Sequence, residues 1–354
     1  MTSPTISPGL PVKVGEIEQQ LGRLWEQSDA GKARASLVNL VIYSEAEDAI
    51  AANTPLLSTI AADHAFRALL VEGNPKAEKS SVEAWITAHC HLRETGQKEI
   101  CSEQVTFRLD GSAAGQLPSI VFSHLDSDLP LYLWWQGALQ QDPQEQLWTR
   151  VDRLIIDSSC WSQPASQFKL LEEIGVLARG RCAVCDLTWT RLFHLRYAAA
   201  QIFDISAARK RLTQLENIVI HHSKGHWVTA LVFLGWMASR LGWKLDLRAD
   251  QEPILRRPDG GAAHFKLVED AATKNCLTSV AFHFGDAKAT VHRQGDEEFY
   301  LIDFTSPETP PFSQMLPAGR EKSADTLLSE LSRGSRHPLF WPAIKAIQPL
   351  LHDI

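Results

Sequence analysis

Two apolar segments separated by a helical one constrain the fold of this chain most strongly. SLVNLVIYS (residues 36–44) is apolar almost throughout and rich in β-branched side chains, which is typical of a strand covered on both faces. Residues 45–63 have helical character, and AFRALLVEG (65–73) repeats the buried-strand pattern. Because two strands joined by a helix run parallel in one sheet with the helix packed across it, this region predicts an α/β domain.

The next two segments predict an antiparallel hairpin. Residues 82–92 and 100–111 alternate apolar with polar side chains, and Thr95–Gly96 between them supplies a turn. A turn centred on these two residues places Cys90 directly opposite Cys101, within reach of a cross-strand disulfide. A shift of the register by one residue would remove that proximity.

Buried-strand patterns continue along the rest of the chain. LPLYLWWQG (129–137) and DRLIIDSS (152–159) extend the first series, and a second series begins at LENIVIHHS (215–223) and ends in two helical segments, SADTLLSELSR and WPAIKAIQPLL. The predicted fold class is therefore α/β, with two domains that each contain a mixed β-sheet flanked by helices.

These patterns also predict the domain boundaries. We expect a disordered tail and a leading helix over 1–33, in which a helix begins near Val14. An N-terminal α/β domain then occupies 34–184 and a C-terminal α/β domain 185–354. The joint between the two domains is expected within residues 180–200.

The charge balance and the amino-terminal segment exclude several classes of partner. A net charge of -7 and a pI of about 6.0 leave no basic surface for a nucleic acid. Residues 1–15 lack the apolar core of a signal peptide, and the most apolar window, 227–238, is shorter than the ~20 residues of a bilayer-spanning helix. We therefore expect a cytoplasmic protein with no membrane partner, whose six cysteines are reduced by default.

No motif of the sequence forms a complete catalytic or cofactor site. A dinucleotide-binding fold needs glycines in the turn after its first strand so that the backbone can approach a pyrophosphate. Here Ser44 is followed by EAEDAI, an acidic turn, and no G-x-x-x-x-G-K-[ST] motif occurs. The sequence therefore predicts no catalytic residue, no cofactor and no metal.

Two polar segments are candidates for a small-molecule site. Asp157 and Ser158 lie at the carboxyl end of a buried strand, where open α/β sheets place ligands. His221, His222 and His226 precede an apolar helix, whose amino end attracts anions. The alternative is structural, because short polar side chains cap helices and loops, and histidines without a placed carboxylate are a weak metal signal.

Cys182 and Cys185 in GRCAVCDLTWTR (180–191) form a second candidate thiol pair. A structural zinc needs four ligands, but the next cysteine is Cys276 and His194 stands alone. A thioredoxin-like C-x-x-C lies where a strand enters a helix in a small redox domain, whereas this pair falls at the predicted domain joint. A regulatory thiol pair and two inert thiols remain the alternatives.

Four segments carry a resemblance to a known family. They are AHCHLRETGQKEICSEQVTFRLDG (88–111), LDSDLPLYLWWQG (125–137) with DRLIIDSS behind it, DLTWTRLFHLR (186–196) and GWMASRLGW (235–243). In this order they resemble the OpcA family, the glucose-6-phosphate dehydrogenase assembly proteins, in its cyanobacterial form. The resemblance implies a non-enzymatic activator that binds glucose-6-phosphate dehydrogenase, promotes its assembly or active conformation, and is linked to thioredoxin control through Cys182/Cys185 or Cys90/Cys101.

Contact with such a partner calls for exposed aromatic and arginine side chains, which dominate interface energies. Trp134 and Trp135 are the first candidates, because adjacent strand residues point to opposite faces of a sheet. Trp189 and Arg191 come next. The alternative is that both faces of the sheet are covered and the tryptophans belong to the core.

Two other functional classes remain open. A sugar-phosphate-binding enzyme or sensor would use Asp157, Ser158 and the histidine loop, and it predicts a thermal shift with glucose 6-phosphate in the absence of the dehydrogenase. A thiol–disulfide module would use Cys182 and predicts a depressed pKa for that thiol.

Overall fold

A computed structural model describes residues 8–26, 32–92, 99–140, 145–247, 252–270, 275–293 and 298–352. The chain forms two compact units. Unit 1 consists of Met1–Ile156, Gln167–Cys185 and Leu327–Arg336, and unit 2 of Asp157–Ser166, Asp186–Thr326 and His337–Ile354. The predicted domains are continuous in sequence, whereas the two units exchange the short segments 157–166 and 327–336.

Over the described residues, unit 1 is built on a nine-stranded sheet. The strands are β1 (Leu10–Pro11), β2 (Lys32–Arg34), β3 (Asn39–Ser44), β4 (Arg67–Asn74), β5 (Ser81–Leu92), β6 (Glu99–Asp110), β7 (Leu131–Gln136), β8 (Arg153–Ile156) and β9 (Ala183–Asp186). The helices along this part of the chain are α1 (Ile17–Glu26), α2 (Ala49–Ala61), α3 (Leu117–His124), α4 (Glu145–Trp148) and α5 (Pro164–Leu177).

The central strands of this sheet are parallel. Their order is β1-β5-β6-β4-β3-β7-β8-β9, with β2 pairing with β6. Parallel pairs join β6 to β4, β4 to β3, β3 to β7 and β7 to β8, whereas β5 runs antiparallel to β6. Counted from β3, this is the 3-2-1-4-5 order of doubly wound dinucleotide-binding sheets, in which ligands lie at the carboxyl ends of the strands.

The parallel pair at the centre and the hairpin were both predicted from the sequence, and both are confirmed. Every residue of β3 is buried, as a strand covered on both faces requires. In the hairpin, Cys90 is the register partner of Cys101. The predicted turn at Thr95–Gly96 lies outside the described residues.

A short strand lies within the segment for which a disordered tail and a leading helix were predicted. Leu10 and Pro11 pair antiparallel with β5, opposite Ile86 and Trp85. The N–H of Val12 then donates to a carbonyl of the same strand at 2.9 Å. The reason is that the edge of β5 offers backbone groups that need partners, and this short strand satisfies some of them.

Unit 2 is built on an eight-stranded sheet over the described residues. The strands are β10 (Asn217–Ser223), β11 (Lys244–Asp246), β12 (Ile254–Arg256), β13 (Ala262–Asp270), β14 (Leu277–Phe284), β15 (Ala287–His292), β16 (Phe299–Ser306) and β17 (Thr309–Pro317). The helices are α6 (Leu187–Arg191), α7 (Phe193–Ile202), α8 (Ser206–Lys210), α9 (Trp227–Leu241), α10 (Ser323–Ser332), which passes from unit 2 into unit 1, and α11 (Phe340–Ile347).

The second sheet is mostly antiparallel. Its order is β11-β12-β13-β10-β14-β15-β16-β17, and β10 runs parallel to β13. Helix α9 packs against α11 so closely that a Cβ at Gly235 would overlap the carbonyl oxygen of Ala343. Both sheets are mixed and accompanied by helices, so the predicted α/β class with two mixed sheets is confirmed.

The apolar window at 227–238 forms all but the last turn of α9. This helix has 15 residues and ends at Gly242, whose φ of 68° is the left-handed conformation that glycine adopts readily at helix ends. Among the described residues, no helix combines the length and the apolarity that crossing a membrane requires.

Candidate functional site

The carboxyl ends of β3, β4 and β6 form an acidic crevice in unit 1. The crevice encloses about 550 Å³, and its described lining contains five carboxylates and one guanidinium group: Glu45, Glu47, Asp48, Glu72, Asp110 and Arg108. Dinucleotide-binding sheets hold their pyrophosphate at this edge. The excess of carboxylates there is unfavourable for an anionic ligand.

A carboxylate of the chain itself occupies the amino terminus of α2 in this crevice. The buried N–H of Ile50 donates to Glu72 Oε2 at 3.0 Å, and Arg108 Nε donates to Glu72 Oε1 at 2.9 Å. A helix terminus in this place is where a dinucleotide fold would bind a phosphate group. Glu72 therefore fills the anion position of the crevice.

A second cavity lies wholly within unit 2 and encloses about 730 Å³. Segments far apart in sequence form it: the turn Ser158–Cys160, α6, the residue before α9, the ends of β14, β15, β16 and β17 that meet there, and the loop before α10. Its described lining carries four basic side chains against two acidic ones, namely Arg191, Arg293, Arg320 and Lys322 against Glu298 and Glu321. This cavity is therefore net cationic, opposite in charge to the crevice of unit 1.

A bidentate ion pair lies on one side of the cationic cavity. Arg191 donates from Nη1 to Asp157 Oδ1 at 2.8 Å and from Nη2 to Oδ2 at 2.5 Å. Ser159 Oγ and Thr188 Oγ1 also donate to Asp157 Oδ1, at 2.6 and 3.2 Å. Burial alone would raise the pKa of Asp157, but these donors outweigh it and lower the pKa. Two residues that the sequence analysis placed in separate sites, Asp157 and Arg191, are thus paired.

Ser158 is fully buried and bound to a second carboxyl group. Its Oγ donates to Asp186 Oδ2 at 2.6 Å, and its N–H donates to Asp186 Oδ1 at 3.0 Å. Asp186 also accepts the N–H of Thr188 at 3.0 Å, as the N-cap of α6. Burial, followed by the neighbouring Asp157 carboxylate, raises the pKa of Asp186 to about 7. For Ser158, these contacts agree with a structural role within the loop, because its hydroxyl and N–H both donate to Asp186 and the residue is fully buried.

One histidine of the predicted loop reaches the cationic cavity. His226, immediately before α9, lines it together with Ser159 and Arg191. Burial, and then the Arg191 charge, lower the pKa of His226. His221 pairs instead with Asp270, its Nδ1 lying 2.9 Å from Oδ1.

The candidate tryptophans lie in the core. Trp134, Trp135 and Trp189 are only 5%, 3% and 3% exposed. The ring of Trp135 packs against those of Tyr43 and Trp148, with centroids 4.4 and 5.7 Å apart. The expectation that these side chains are exposed is therefore wrong. For Trp134 and Trp135 the reason is that β7 lies between β3 and β8 and is covered on both faces, as the core alternative requires.

Trp189 supports a helix that does expose aromatic side chains. The guanidinium of Arg196 lies 3.7 Å from the centroid of the Trp189 ring, and its Nη1 donates to the Trp189 carbonyl at 2.7 Å. Arg196 belongs to α7, whose outer face presents Phe193 and Tyr197 at 47% and 52% exposure. Sequence reasoning missed these two residues, although their spacing of four places them on one helix face.

Cys182 and Cys185 are buried free thiols. Burial, which is the largest effect, raises the pKa of Cys182 to about 12. Burial and then the Glu330 carboxylate raise the pKa of Cys185, although Arg153 Nη1 donates to its Sγ at 2.9 Å. A thiol–disulfide module requires the opposite direction at Cys182, so the structure argues against this function.

Cys90 and Cys101 are joined by a disulfide between β5 and β6. Cys101 is fully buried and Cys90 is half-buried. The cross-strand proximity predicted from the turn position is therefore present in the structure.

Comparison with solved structures finds remote likenesses over most of the chain. An aldose-aldose oxidoreductase from Caulobacter crescentus, solved with glycerol, is 12% identical over 88% of this chain and 95% of that one, with a TM-score of 0.49. A biliverdin reductase from Synechocystis sp., solved with biliverdin and NADP+, is 9% identical over 89% and 98% of the two chains, with a TM-score of 0.45.

Curated relatives and family models give closer matches. The OxPP cycle proteins OpcA of Synechocystis sp. and Nostoc punctiforme are each 30% identical, over 53% and 47% of this chain, and the matches span 39% and 36% of those proteins. The match thus covers less than half the length of these relatives. Models of the glucose-6-phosphate dehydrogenase subunit N-terminal and C-terminal domains match residues 57–173 and 182–344. With both domains matched in order over most of its length, the chain belongs to the OpcA family of glucose-6-phosphate dehydrogenase assembly proteins.

Proposed function

We propose that this chain is a non-enzymatic assembly factor that binds glucose-6-phosphate dehydrogenase in the cytoplasm and favours its active state, in support of the oxidative pentose phosphate pathway. The observation that carries the proposal is the match of both OpcA domains, in order, over residues 57–173 and 182–344. The names of the curated relatives, which refer to the OxPP cycle, agree with it.

The acidic crevice of unit 1 supports a role other than hydride transfer. The strand order resembles that of dinucleotide-binding sheets, but the turn after β3 is acidic and Glu72 occupies the amino terminus of α2. A nicotinamide dinucleotide would have to displace this carboxylate and place its pyrophosphate among several others. The chain is therefore better suited to act on an enzyme than to be one.

An activator of this kind needs no catalytic residue. A protein that binds the active conformation of its partner more tightly than the inactive one shifts that equilibrium by the difference in binding free energy. A difference of about 1–3 kcal/mol corresponds to roughly 5- to 150-fold in apparent substrate affinity. A modest exposed surface is enough to supply it.

We assign part of the dehydrogenase contact to the outer face of α7. Phe193 and Tyr197 expose aromatic area there, and aromatic side chains are the residues that most often dominate binding energy. Trp189 acts behind this face by stacking on Arg196 and so fixing α7. Trp134 and Trp135 contribute through the core of unit 1.

We further propose that thioredoxin controls this activator through the Cys90–Cys101 disulfide. These two residues already form a disulfide and Cys90 is partly accessible, whereas both Cys182 and Cys185 are buried with raised pKa values. Reduction would release a covalent link between β5 and β6 and loosen the edge of the first sheet.

The experiment that tests the main proposal combines co-elution with enzyme kinetics. The purified chain is mixed with the dehydrogenase, and the complex is isolated by gel filtration and assayed at low glucose 6-phosphate. We expect the half-saturating substrate concentration to fall. A saturation curve that is unchanged in a demonstrated complex contradicts activation, and turnover of a nicotinamide cofactor by the isolated chain contradicts the non-enzymatic role.

Two matched variants test the contact face. Phe193→Ala/Tyr197→Ala should weaken co-elution by about tenfold or more, since each aromatic anchor contributes on the order of 1–2 kcal/mol. Met315→Ala, which removes a side chain that is 68% exposed elsewhere in unit 2, should leave binding unchanged. If both variants bind the dehydrogenase equally well, α7 is not part of the interface.

The thiol assignment is tested by comparing oxidised with thioredoxin-reduced protein. Cys90→Ser/Cys101→Ser should abolish the difference in activation between the two states, whereas Cys182→Ser/Cys185→Ser should retain it. The reverse result would show that redox control depends on Cys182 and Cys185 instead.

A further inference from the structure

The cationic cavity of unit 2 is not used by the proposed function. Two of its basic side chains are exposed and weakly paired. Arg320 is 77% exposed, with its nearest described carboxylate, Asp325, at 3.9 Å. Lys322 is exposed and has no carboxylate within 4.0 Å among the residues that the structure describes. Both stand in the loop between β17 and α10, and both face one cavity.

The inner basic side chains differ, because carboxylates already neutralise them. Arg191 is held by Asp157 as described above, and Arg293 Nη1 donates to Glu321 Oε1 at 3.1 Å. Glu321 Oε2 also accepts the N–H of Cys276 at 2.8 Å. These buried pairs are fixed in place and present hydrogen-bonding groups without net charge. The free positive charge of the cavity therefore resides in its loop.

We infer that this cavity binds a phosphorylated, hydroxyl-rich small molecule of sugar-phosphate size. The phosphate would lie between Arg320 and Lys322, because ammonium and guanidinium groups form the strongest hydrogen bonds to phosphate oxygens. The hydroxyl groups would donate to the Glu298 and Glu321 carboxylates and to Ser159 Oγ, whose own proton is donated to Asp157. The volume of about 730 Å³ lies within the usual range of small-molecule sites.

The described lining also distinguishes this ligand from other anions and from cations. It contains no phenylalanine, tyrosine or tryptophan on which a nucleobase could stack, which favours a sugar phosphate over a nucleotide. The excess of positive charge disfavours a divalent cation. A bare phosphate ion would engage only the two loop cations, whereas the hydroxyl groups of a sugar phosphate would also reach Ser159 and Glu298.

The test uses the isolated chain, so that its outcome does not depend on the dehydrogenase. Glucose 6-phosphate, inorganic phosphate and glucose are titrated separately into the protein at low ionic strength, and heats of binding are measured. We expect glucose 6-phosphate to bind more tightly than phosphate, and glucose to give no heat. Binding should weaken as salt is added, because the loop cations are solvent-exposed.

Two double variants with the same change of charge complete the experiment. Arg320→Ala/Lys322→Ala should weaken binding of glucose 6-phosphate by about tenfold or more, the loss expected for a hydrogen bond to a charged group. Arg209→Ala/Lys210→Ala removes two exposed basic side chains of α8 and should leave binding unchanged.

Several outcomes would overturn the inference. The first is the absence of binding at about 10 mM glucose 6-phosphate, a concentration at which a site with a Kd of about 1 mM would be mostly occupied. The others are equal binding by the two double variants and inorganic phosphate that binds as tightly as the sugar phosphate. The thermal melting curves of both variants should match that of the unaltered protein, which establishes that any loss of binding is local.

Discussion

Asp186 should make the protein lose stability as the pH rises toward neutrality. The carboxyl group is fully buried, and burial together with Asp157 raises its pKa from 3.8 to about 7. Between these two values the folded protein retains a proton that the unfolded chain has released. The stabilising contribution is therefore fully present below pH 3.8 and is lost as the pH rises through about 7.

The size of this contribution follows from linkage. Each pH unit in the interval removes about 1.4 kcal/mol from the free energy of unfolding, so the whole interval amounts to ~4 kcal/mol. Asp186→Asn keeps an oxygen to accept the N–H groups of Ser158 and Thr188, and its amide can donate to Ser158 Oγ. The variant removes the titrating group while preserving these contacts.

Urea denaturation followed by tryptophan fluorescence at a series of pH values measures the effect. The free energy of unfolding of the variant, minus that of the unaltered protein, should increase by up to ~1.4 kcal/mol per pH unit from about pH 4 to about pH 7. Above that pH the difference should stay constant. Buried histidines titrate in both proteins and cancel in the difference. Asp204→Asn, at an exposed position of unit 2, controls for the removal of one charge. A difference independent of pH, or a variant less stable than the unaltered protein at pH 8, would refute the reasoning.

Three further predictions concern other buried groups. Arg153→Met removes the nearer of the guanidinium groups beside buried Glu330 and should lower the free energy of unfolding of unit 1, measured in urea, by about 3 kcal/mol. Arg153→Met/Glu330→Met should regain most of this stability. An undiminished loss in the double variant would contradict the prediction. Cys182, whose pKa is raised to about 12, should react with iodoacetamide at pH 8 only after urea is added, as mass spectrometry will show; rapid labelling of the native protein would argue for an accessible thiolate. The added Cβ of Gly235→Ala overlaps a neighbouring carbonyl oxygen and should destabilise unit 2 by about 1–3 kcal/mol. Gly175→Ala, at an open position of α5, should instead stabilise the protein by about 0.5–1 kcal/mol. Melting curves that shift equally in the two variants would count against the packing described for α9.

Local periodicity was enough to predict the central strands and the hairpin of unit 1. The apolar run at 36–44 became β3, the run at 65–73 became β4, and the alternating segments became the hairpin that pairs Cys90 with Cys101. These predictions succeed because burial on one or two faces is written into consecutive residues. The burial of Trp134 and Trp135 follows from which strands flank β7, and that information is absent from β7 itself.

The exchange of segments between the units could not be predicted for the same reason. SADTLLSELSR has the pattern of a helix in any context, but residues 327–336 belong to unit 1. One contact that joins this segment to unit 1 is the ion pair between Arg153 and Glu330, two residues that are 177 positions apart. Nothing in the sequence near either residue indicates the other.

The candidate site was predicted only in part. Asp157 and the histidine loop were singled out by their positions at strand and helix ends, and Arg191 as a candidate partner contact. The structure brings Arg191 and His226 to one cavity. Arg293, Arg320 and Lys322 were missed because a cationic loop without a motif has no distinctive spacing. The basic run around Arg320, directly before a helical segment, was the available signal.

The division of unit 1 along the chain has a consequence for folding during synthesis. Arg153 leaves the ribosome long before its carboxylate partner, because residues 186–326 must be translated in between. At roughly 5–20 residues per second this takes on the order of ten seconds. During that time the guanidinium group of Arg153 lacks the Glu330 carboxylate that neutralises it in the folded protein, although β9 is already available to pair with β8. A fragment that ends at Cys185 would lack this carboxylate permanently and should be less stable than unit 1 in the full chain.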